Sequence, residues 1–475
     1  MAKEQKVVNT EGIYDARELG IPKMLLLGFQ HMFAMFGATV LVPLLTGLDV
    51  ATTLLMAGLG TLLFHLISKG KVPAFLGSSF AFLGGYAAVA PMENGASNAE
   101  KLPYACLGVA CAGLVYLILA ALIKIVGINK VMRFFPPVVT GPIIISIGLG
   151  LAGSAVGNCK TNWLLAIIAL ALVVVFNVWG KGMSKIIPIL IGVLGSSAVA
   201  VILALTMGEI TQSIDPETGA VVGEFYAIKG IEALKICDVS AWEAFKDAAW
   251  IGLPIHKEET IFAIDWSNTS LIISSIVAIV PISLATMMEH IGDISAIGAT
   301  CGKNYIKDPG LHRTLIGDGL ATSFSAVFGG PANTTYGENT GVLALSKVFD
   351  PKVVRLAAVF AIVLSFSPKF AALINLIPAG IIGGISFVLY GMISAIGVRN
   401  VVENKVDFSK SRNLIVAAVI LVCALGLGTV SFAIGSVQIS LSALAVASIV
   451  GIILNAIFPG KDYNFDEEGY TNAKS

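Results

Sequence analysis

The sequence predicts an all-α polytopic membrane protein: fourteen transmembrane segments in two inverted seven-helix repeats, with short antiparallel strands in segments 3 and 10. Three observations predict it. Hydrophobic residues make up 56% of the 475 positions and charged residues only 13%, about half the ~25% of a soluble globular chain. Basic residues fall on alternate sides when the apolar stretches are counted as spans. Related motifs also recur in the two halves in matching order. The 30 Lys+Arg balance the 30 Asp+Glu, so no net basic character points to nucleic acid. The six cysteines at 106, 111, 159, 237, 301 and 423 have no CxxC or zinc-ligand spacing and read as small core hydrophobes. Cys159 and Cys237 could both face outside, but no disulfide is expected of them. The first apolar segment begins near Lys23 and is too long for a cleavable signal.

A span needs about 20 mostly apolar residues. Such stretches run near 23–47, 50–68, 73–91, 104–126, 131–153, 163–180 and 185–207. After a polar stretch, 208–268, seven more follow near 269–300, 312–329, 332–348, 351–367, 372–396, 413–430 and 439–458. With the N-terminus in the cytoplasm, 23 bases fall inside and only Lys101, Lys160 and Lys369 in short outside loops. A miscount by one span would swap the sides of everything after it. The alternation therefore places tails 1–22 and 459–475 in the cytoplasm. The 208–268 loop lies outside with 11 acids and 4 lysines. It reads as a solvated cap with helical patterning around Ala241–Trp250.

Seven plus seven suggests a duplication, and an odd number of spans per half inverts the second copy. Gln30-His31 in segment 1 matches Glu289-His290 in segment 8 at an offset of 259, which also sets Ser79 on Glu338. Phe135-Pro136-Pro137…Gly141 matches Ile377-Pro378-Ala379…Gly383 at an offset of 242. Inverted-repeat transporters bind substrate at the midplane, between discontinuous helices in corresponding positions. Segment 3 carries Pro73 and Gly77-Ser78-Ser79. Segment 10 opens Gly329-Gly330-Pro331-Ala332-Asn333-Thr334-Thr335. Neither suits a continuous membrane helix, and backbone left unpaired in lipid costs several kcal/mol. The two segments are expected to pair as short strands, each leading into a half-helix whose N-terminal amides face the centre.

Four charged residues fall deep in the spans, and all are acidic: Glu289, Asp293, Asp318 and Glu338. A central Asp costs about 2.5–3.5 kcal/mol on insertion scales. Glu289 and Asp293 are i,i+4 and share a helix face. Asp318, in Gly317-Asp318-Gly319, reads as protonated and satisfied by neighbours. Glu289, Asp293 and Glu338 read as ligand acceptors and proton carriers. His31 and His290 read as packing or supporting residues. Carboxylates and half-helix amides suit a planar ligand with N–H and C=O groups on one edge, such as a nucleobase. Other amide-like or cationic solutes fit the same chemistry. No HExxH pair, GxSxG elbow or metal-ligand cluster points to an enzyme.

Gln30-His31-Met32-Phe33-Ala34-Met35-Phe36-Gly37-Ala38-Thr39, Gly77-Ser78-Ser79-Phe80-Ala81-Phe82, Glu289-His290-Ile291-Gly292-Asp293, Asp308-Pro309-Gly310-Leu311-His312-Arg313 and Asn333-Thr334-Thr335-Tyr336-Gly337-Glu338-Asn339-Thr340-Gly341-Val342 closely resemble the nucleobase–ascorbate transporter (nucleobase:cation symporter-2) family. The likeness spans about residues 20 to 458. It implies a core domain of segments 1–4 and 8–11 (23–126 and 269–367) and a gate domain of segments 5–7 and 12–14 (131–207 and 372–458). It implies proton-coupled uracil import through a bacterial inner membrane by alternating access, with H+ as coupling ion and no cofactor, and a homodimer formed through the gate domains. Glu289 and Glu338 would hydrogen-bond the base, and amides at Phe80 and Gly337 would contact its carbonyls. Ala34 and Tyr336 would shape the pocket, Tyr390 would approach from the gate, and Ser79 would lie beside the segment 3 strand. One position departs from the family's uracil-transporting branch: four residues after the segment 8 glutamate that branch has histidine, and this chain has Asp293. A Glu289–Asp293 pair sharing a proton is expected in its place. The purine-transporting branches carry glutamine at the Glu338 position, so Glu338 favours uracil over xanthine. An anion exchanger or channel of the related seven-plus-seven fold would want a neutral or positive centre.

Overall fold

Turn residues and polar caps at the borders of the apolar stretches set the helices of the computed structural model, which describes residues 12–92, 97–214, 221–229, 231–434, 437–460, 463–466 and 469–472. Helix α1 (Ile21–Thr46) stops where Gly47 takes a left-handed φ of +79°, the usual glycine terminator. Asp49 caps α2 (Val50–Ile67), accepting from Thr52 N at 2.6 Å, which satisfies an otherwise orphaned amide. The chain then runs through Pro73 into β1 (Leu76–Ser78) and, past a tight turn, α3 (Leu83–Val89). Helix α4 (Leu102–Val126) has proline in its first turn, where no amide is lost. Pro136 caps α5 (Pro137–Gly150), which α6 (Ala152–Cys159) continues. Asn162 caps α7 (Trp163–Val178), and Pro188 opens α8 (Pro188–Met207).

The 208–268 segment is more structured than a solvated cap. It forms an antiparallel sheet in the order β2 (Gly208–Ile214), β3 (Val221–Ile228), β4 (Ile231–Asp238), followed by α9 (Val239–Asp247). Helices α10 (Thr269–Ile279) and α11 (Ser283–Cys301) are joined by one tight turn at Val280–Ile282. Then come α12 (Leu311–Val327), β5 (Asn333–Thr335), α13 (Gly337–Ser346), α14 (Pro351–Ser365), α15 (Pro368–Asn375) and α16 (Ala379–Glu403). Helix α17 (Ser411–Gly426), a hairpin of β6 (Val430–Ile434) and β7 (Val437–Leu441), and α18 (Ala443–Ile457) complete the membrane part.

Among the described residues, seven helical stretches are long and apolar enough to cross a bilayer alone: α1, α2, α4, α5–α6, α8, α10–α11 and α16. The pair α14 and α15 passes only jointly and bends by 89°, so the chain turns sharply at the end of segment 11, and the break between α15 and α16 divides the start of segment 12. Segments 6, 13 and 14 are helices of 16, 16 and 15 residues. Length alone therefore identifies seven or eight crossings rather than fourteen. The protein is a multi-pass membrane protein, and the two units that least resemble membrane helices, segments 3 and 10, meet each other. Strands β1 and β5 pair antiparallel, Leu76 opposite Thr335, Gly77 opposite Thr334 and Ser78 opposite Asn333. Ser79 N donates to Ala332 O at 2.9 Å and Tyr336 N to Phe75 O at 3.0 Å, extending the ladder by one bond at each end. Backbone that lipid would leave unpaired is satisfied inside the protein.

The helices pack in two groups. In one, α4 lies on α12, α2 on α12 and α14, and α1 on α14; in the other, α16 lies on α5, α6 and α7, and α17 on α18 and α5. Glycine permits the closest crossings. A Cβ on Gly319 would lie 2.5 Å from Gly113 O, and one on Gly148 would lie 2.1 Å from Tyr390 O. Small residues let backbones touch where the lipid environment supplies no hydrophobic drive between helices. All six cysteines are free.

Candidate functional site

A cavity of about 770 Å³ lies between α11 on one wall and α5 and α16 on the other. The α5 and α16 wall belongs to the second helix group, while α11 packs on α13, α12 and α4 and also reaches α5 and α18. Lys303, Asn304, Arg399 and Glu403 stand at its mouth, and Glu289, Asp293 and Gly337 line its inner part. Lys303, Arg399 and Glu403 are exposed, so the cavity opens at the C-terminal ends of α11 and α16.

The spacing of the carboxylates has the expected consequence. Glu289 and Asp293 lie one turn apart on α11 and both face the cavity. Glu289 is half-buried, and Asp293 is buried. Asp293 Oδ2 accepts from Thr335 Oγ1 at 3.1 Å. Its Oδ1 lies 3.0 Å from where a Cβ on Gly337 would be, against the first residue of α13. Tyr336 precedes that helix and gives it no side-chain cap. The first-turn amides of α13 thus stand beside the Asp293 carboxylate rather than a cap from Tyr336, and the helix dipole favours negative charge or a ligand carbonyl there. The site thus sets acceptors on α11 beside donors at the start of α13. It can grip a planar molecule that offers N–H and C=O groups on one edge.

Behind this wall runs a buried polar chain. Thr335 Oγ1 also lies 3.3 Å from His290 Nδ1, which is 3.4 Å from Asp318 Oδ2. Thr334 Oγ1 donates to Asp318 Oδ2 at 3.3 Å. Both side chains of the His290–Asp318 pair are fully buried. Asn333 Nδ2 donates to Met56 O at 2.8 Å, and Thr322 Oγ1 donates to Asn333 O. Asn339 Nδ2 donates to His31 O at 3.3 Å. Asp318 and His290, read from sequence as satisfied or supporting groups, prove to be linked to Asp293 through Thr335. The pointer to them was the isolated acid between Gly317 and Gly319, whose partner only tertiary packing reveals.

The other expected residues are distributed more widely. Phe80 opens the turn after β1 and meets the Tyr390 ring edge-on, centroids 5.4 Å apart. That contact joins the turn after β1 to α16. The Tyr390 hydroxyl is buried beside the Ser386 hydroxyl. Ser79 is buried beside β1, and its hydroxyl has no hydrogen-bond partner among the described residues. Ala34 is half-buried on α1. Tyr336 does not line the cavity: its ring lies on Gly77, 2.6 Å from where a Cβ would be. Its hydroxyl donates to Ser78 O at 3.0 Å and lies 3.1 Å from Thr39 Oγ1. It locks the strand pair from behind. Glu338 is the second residue of α13, and its side chain lies outside the described residues. Among the described residues no group of three or more His, Cys, Asp or Glu is placed to hold a metal.

The chain is similar to known permeases. Residues 22–434 match the model of a permease family covering xanthine and uracil permeases. The uracil permease of Bacillus caldolyticus is 40% identical over 444 residues, covering 92% of each chain. That of Bacillus subtilis (strain 168) is 37% identical over 443 residues, covering 90% of this chain and 91% of its own. The transmembrane domain of a cyanobacterium bicarbonate transporter, BicA, superposes with a TM-score of 0.57 at 14% identity, over 94% of this chain and 99% of its own. At that identity the likeness shows the fold alone.

Proposed function

The chain belongs to the nucleobase–ascorbate transporter family, whose members are permeases and not enzymes, and from that premise we propose that it imports uracil with protons by alternating access. The observation that carries the proposal is the meeting of Glu289 and Asp293 with the start of α13 on one wall of a cavity whose other wall is α5 and α16. Uracil offers N–H donors to Glu289 and carbonyl acceptors to the amides at Gly337 and Phe80, with Glu338 as a second acceptor. The names of the relatives support uracil over xanthine. An acidic wall disfavours an anion substrate, which separates this reading from that of the bicarbonate transporter of like fold.

The first helix group, residues 23–126 and 269–367, acts as the core domain that holds the base. The second, 131–207 and 372–458, acts as the gate. The alternation of bases puts both termini and the mouth at Lys303 and Arg399 in the cytoplasm of a bacterial cell, with 208–268 outside its inner membrane. The structure is then inward-open. Glu289 and Asp293 at i,i+4 disfavour double ionisation. A proton taken up outside readies the pair for uracil, and base and proton leave inside. A potential of 100 mV contributes about 2.3 kcal/mol per proton, and one pH unit about 1.4 kcal/mol. A homodimer through the gate domains completes the proposal. Uptake of labelled uracil by transport-deficient cells, with and without a protonophore and with xanthine as competitor, tests it. Uptake that collapses with the protonophore and ignores xanthine is expected. Protonophore-insensitive uptake contradicts symport, and competition by xanthine reassigns the substrate.

A further inference from the structure

The 208–268 segment joins α8 to α10, at the end of the molecule away from the cavity mouth, and it is tied to both helix groups. Its sheet holds the gate-side turn before α7: Lys235 N donates to Thr161 O at 3.1 Å, and Asn162 Nδ2 to Lys235 O at 2.9 Å. Its second half holds the core side. Thr52 Oγ1 donates to Pro254 O, and Tyr104 OH to Asp265 O at 3.2 Å. Gly252 N donates to Phe366 O and Lys369 N to Ala249 O, each at 2.9 Å. Lys369 is the densest of these ties. Its ammonium donates to Phe245 O at 2.6 Å and Lys246 O at 2.9 Å, at the C-terminal end of α9, and stands 4.7 Å over the Phe245 ring. A cation there completes orphaned helix carbonyls and complements the dipole.

Within this strap sits one group that the transport mechanism does not use. Glu259 packs onto the turn between α12 and β5. Gly329 has φ +83° there, and a Cβ on it would lie 2.8 Å from Glu259 O. Glu259 Oε2 is buried, with no hydrogen-bond partner among the described residues. A bare carboxylate oxygen in such a place is costly, whereas a protonated one is tolerated. The groups facing it are Asp49 from the start of α2, Cys106 from α4, and His256 and Glu258 from the strap itself. Burial pushes its carboxyl up to about 7; Asp49 and Glu258 add to the rise, and His256 opposes it.

We propose that residues 231–268, from β4 onward, form a proton-set strap that closes this end of the transporter, with Glu259 as its proton site and Lys369 as its pin. The strap is docked when Glu259 is protonated and loosens when it ionises. The sign follows from the raised value of the docked state. Docking is fully supported below the ordinary glutamate range and is lost as the pH rises from there through about 7. The inference rests on the transport reading for its consequence, that the pH of the outer medium sets how firmly this end of the protein is held together.

Amide hydrogen exchange of the whole protein in nanodiscs, corrected for intrinsic rates, tests the strap without any substrate. The Gly252 and Ile264 amides should exchange at least tenfold faster at pH 8 than at pH 5.5. Glu259→Gln should keep its pH 5.5 protection at pH 8. Asp49→Asn, which retains a capping side chain, should shrink the difference between the two pH values. Lys369→Met should speed exchange at both. Equal protection of the wild type at the two pH values overturns the proposal, as does a Glu259→Gln protein that still loosens at pH 8. Uptake is not the readout, so failure here leaves the transport reading standing, and failed uracil uptake leaves the strap standing.

Discussion

The two crossing units, β1–α3 and β5–α13, share one backbone ladder and differ in almost everything their side chains do. Strand β1 is apolar or bare: Gly77 makes room for the Tyr336 ring, and the Ser78 and Ser79 hydroxyls have no hydrogen-bond partner among the described residues. Strand β5 is polar throughout, with Asn333 on Met56 O, Thr334 on Asp318, and Thr335 on Asp293 and His290. The helix after β1 has 7 residues and that after β5 has 10. The duplicated frame therefore supplies pairing twice and chemistry once. Unit β1 provides shape, and unit β5 connects the carboxylates to the interior.

Substitutions can break this comparison at four strengths. Gly77→Val should cost the most, about 3 kcal/mol or more, because its Cβ would lie 2.6 Å from a ring whose hydroxyl is held on two sides. Thermal unfolding in detergent checks it, and an unchanged midpoint would show that the Tyr336 lock is not needed. Thr335→Val comes next, about 1–3 kcal/mol, because it deprives Asp293 of a buried donor. Uptake should fall with it, and Thr335→Ser should restore both. Tyr336→Phe should cost about 1 kcal/mol by releasing Ser78 O and Thr39. Ser78→Ala and Ser79→Ala should stay within about 0.5 kcal/mol of wild type. The Ser79 variant also sharpens the comparison. If uptake falls while the unfolding midpoint holds, unit β1 contributes a side chain to the base after all.

Much of this was legible in the sequence, where single-residue physics sufficed. Pro73 and the β-prone run Asn333-Thr334-Thr335 ruled out continuous helices, and the strands formed between the two expected segments. The i,i+4 spacing put Glu289 and Asp293 on one wall. Other features depend on long-range packing. The sheet β2–β4 and the hairpin β6–β7 fell where composition suggested a solvated cap and span ends. Apolar alternation in a short run does not separate a strand from the end of a membrane helix. The Asp318–His290 contact joins residues 28 apart on different helices, and no local pattern announces it. Tyr336, expected at the pocket, instead fills the space above Gly77, because a glycine in the facing strand leaves room for the ring there.

In the proposed mechanism uracil and a proton cross together and the Glu289–Asp293 pair couples them. Proteoliposomes loaded with a pH-sensitive dye and given external uracil, at equal pH on both sides and with the membrane potential clamped, test it directly. The lumen should acidify as uracil enters through the wild type, and Asp293→Asn should lose the acidification or its pH profile. Uracil entry through the wild type with no change in lumen pH would contradict symport. Asp293→Asn liposomes that acidify as the wild type does, with the same pH profile, would contradict the coupling role of the pair.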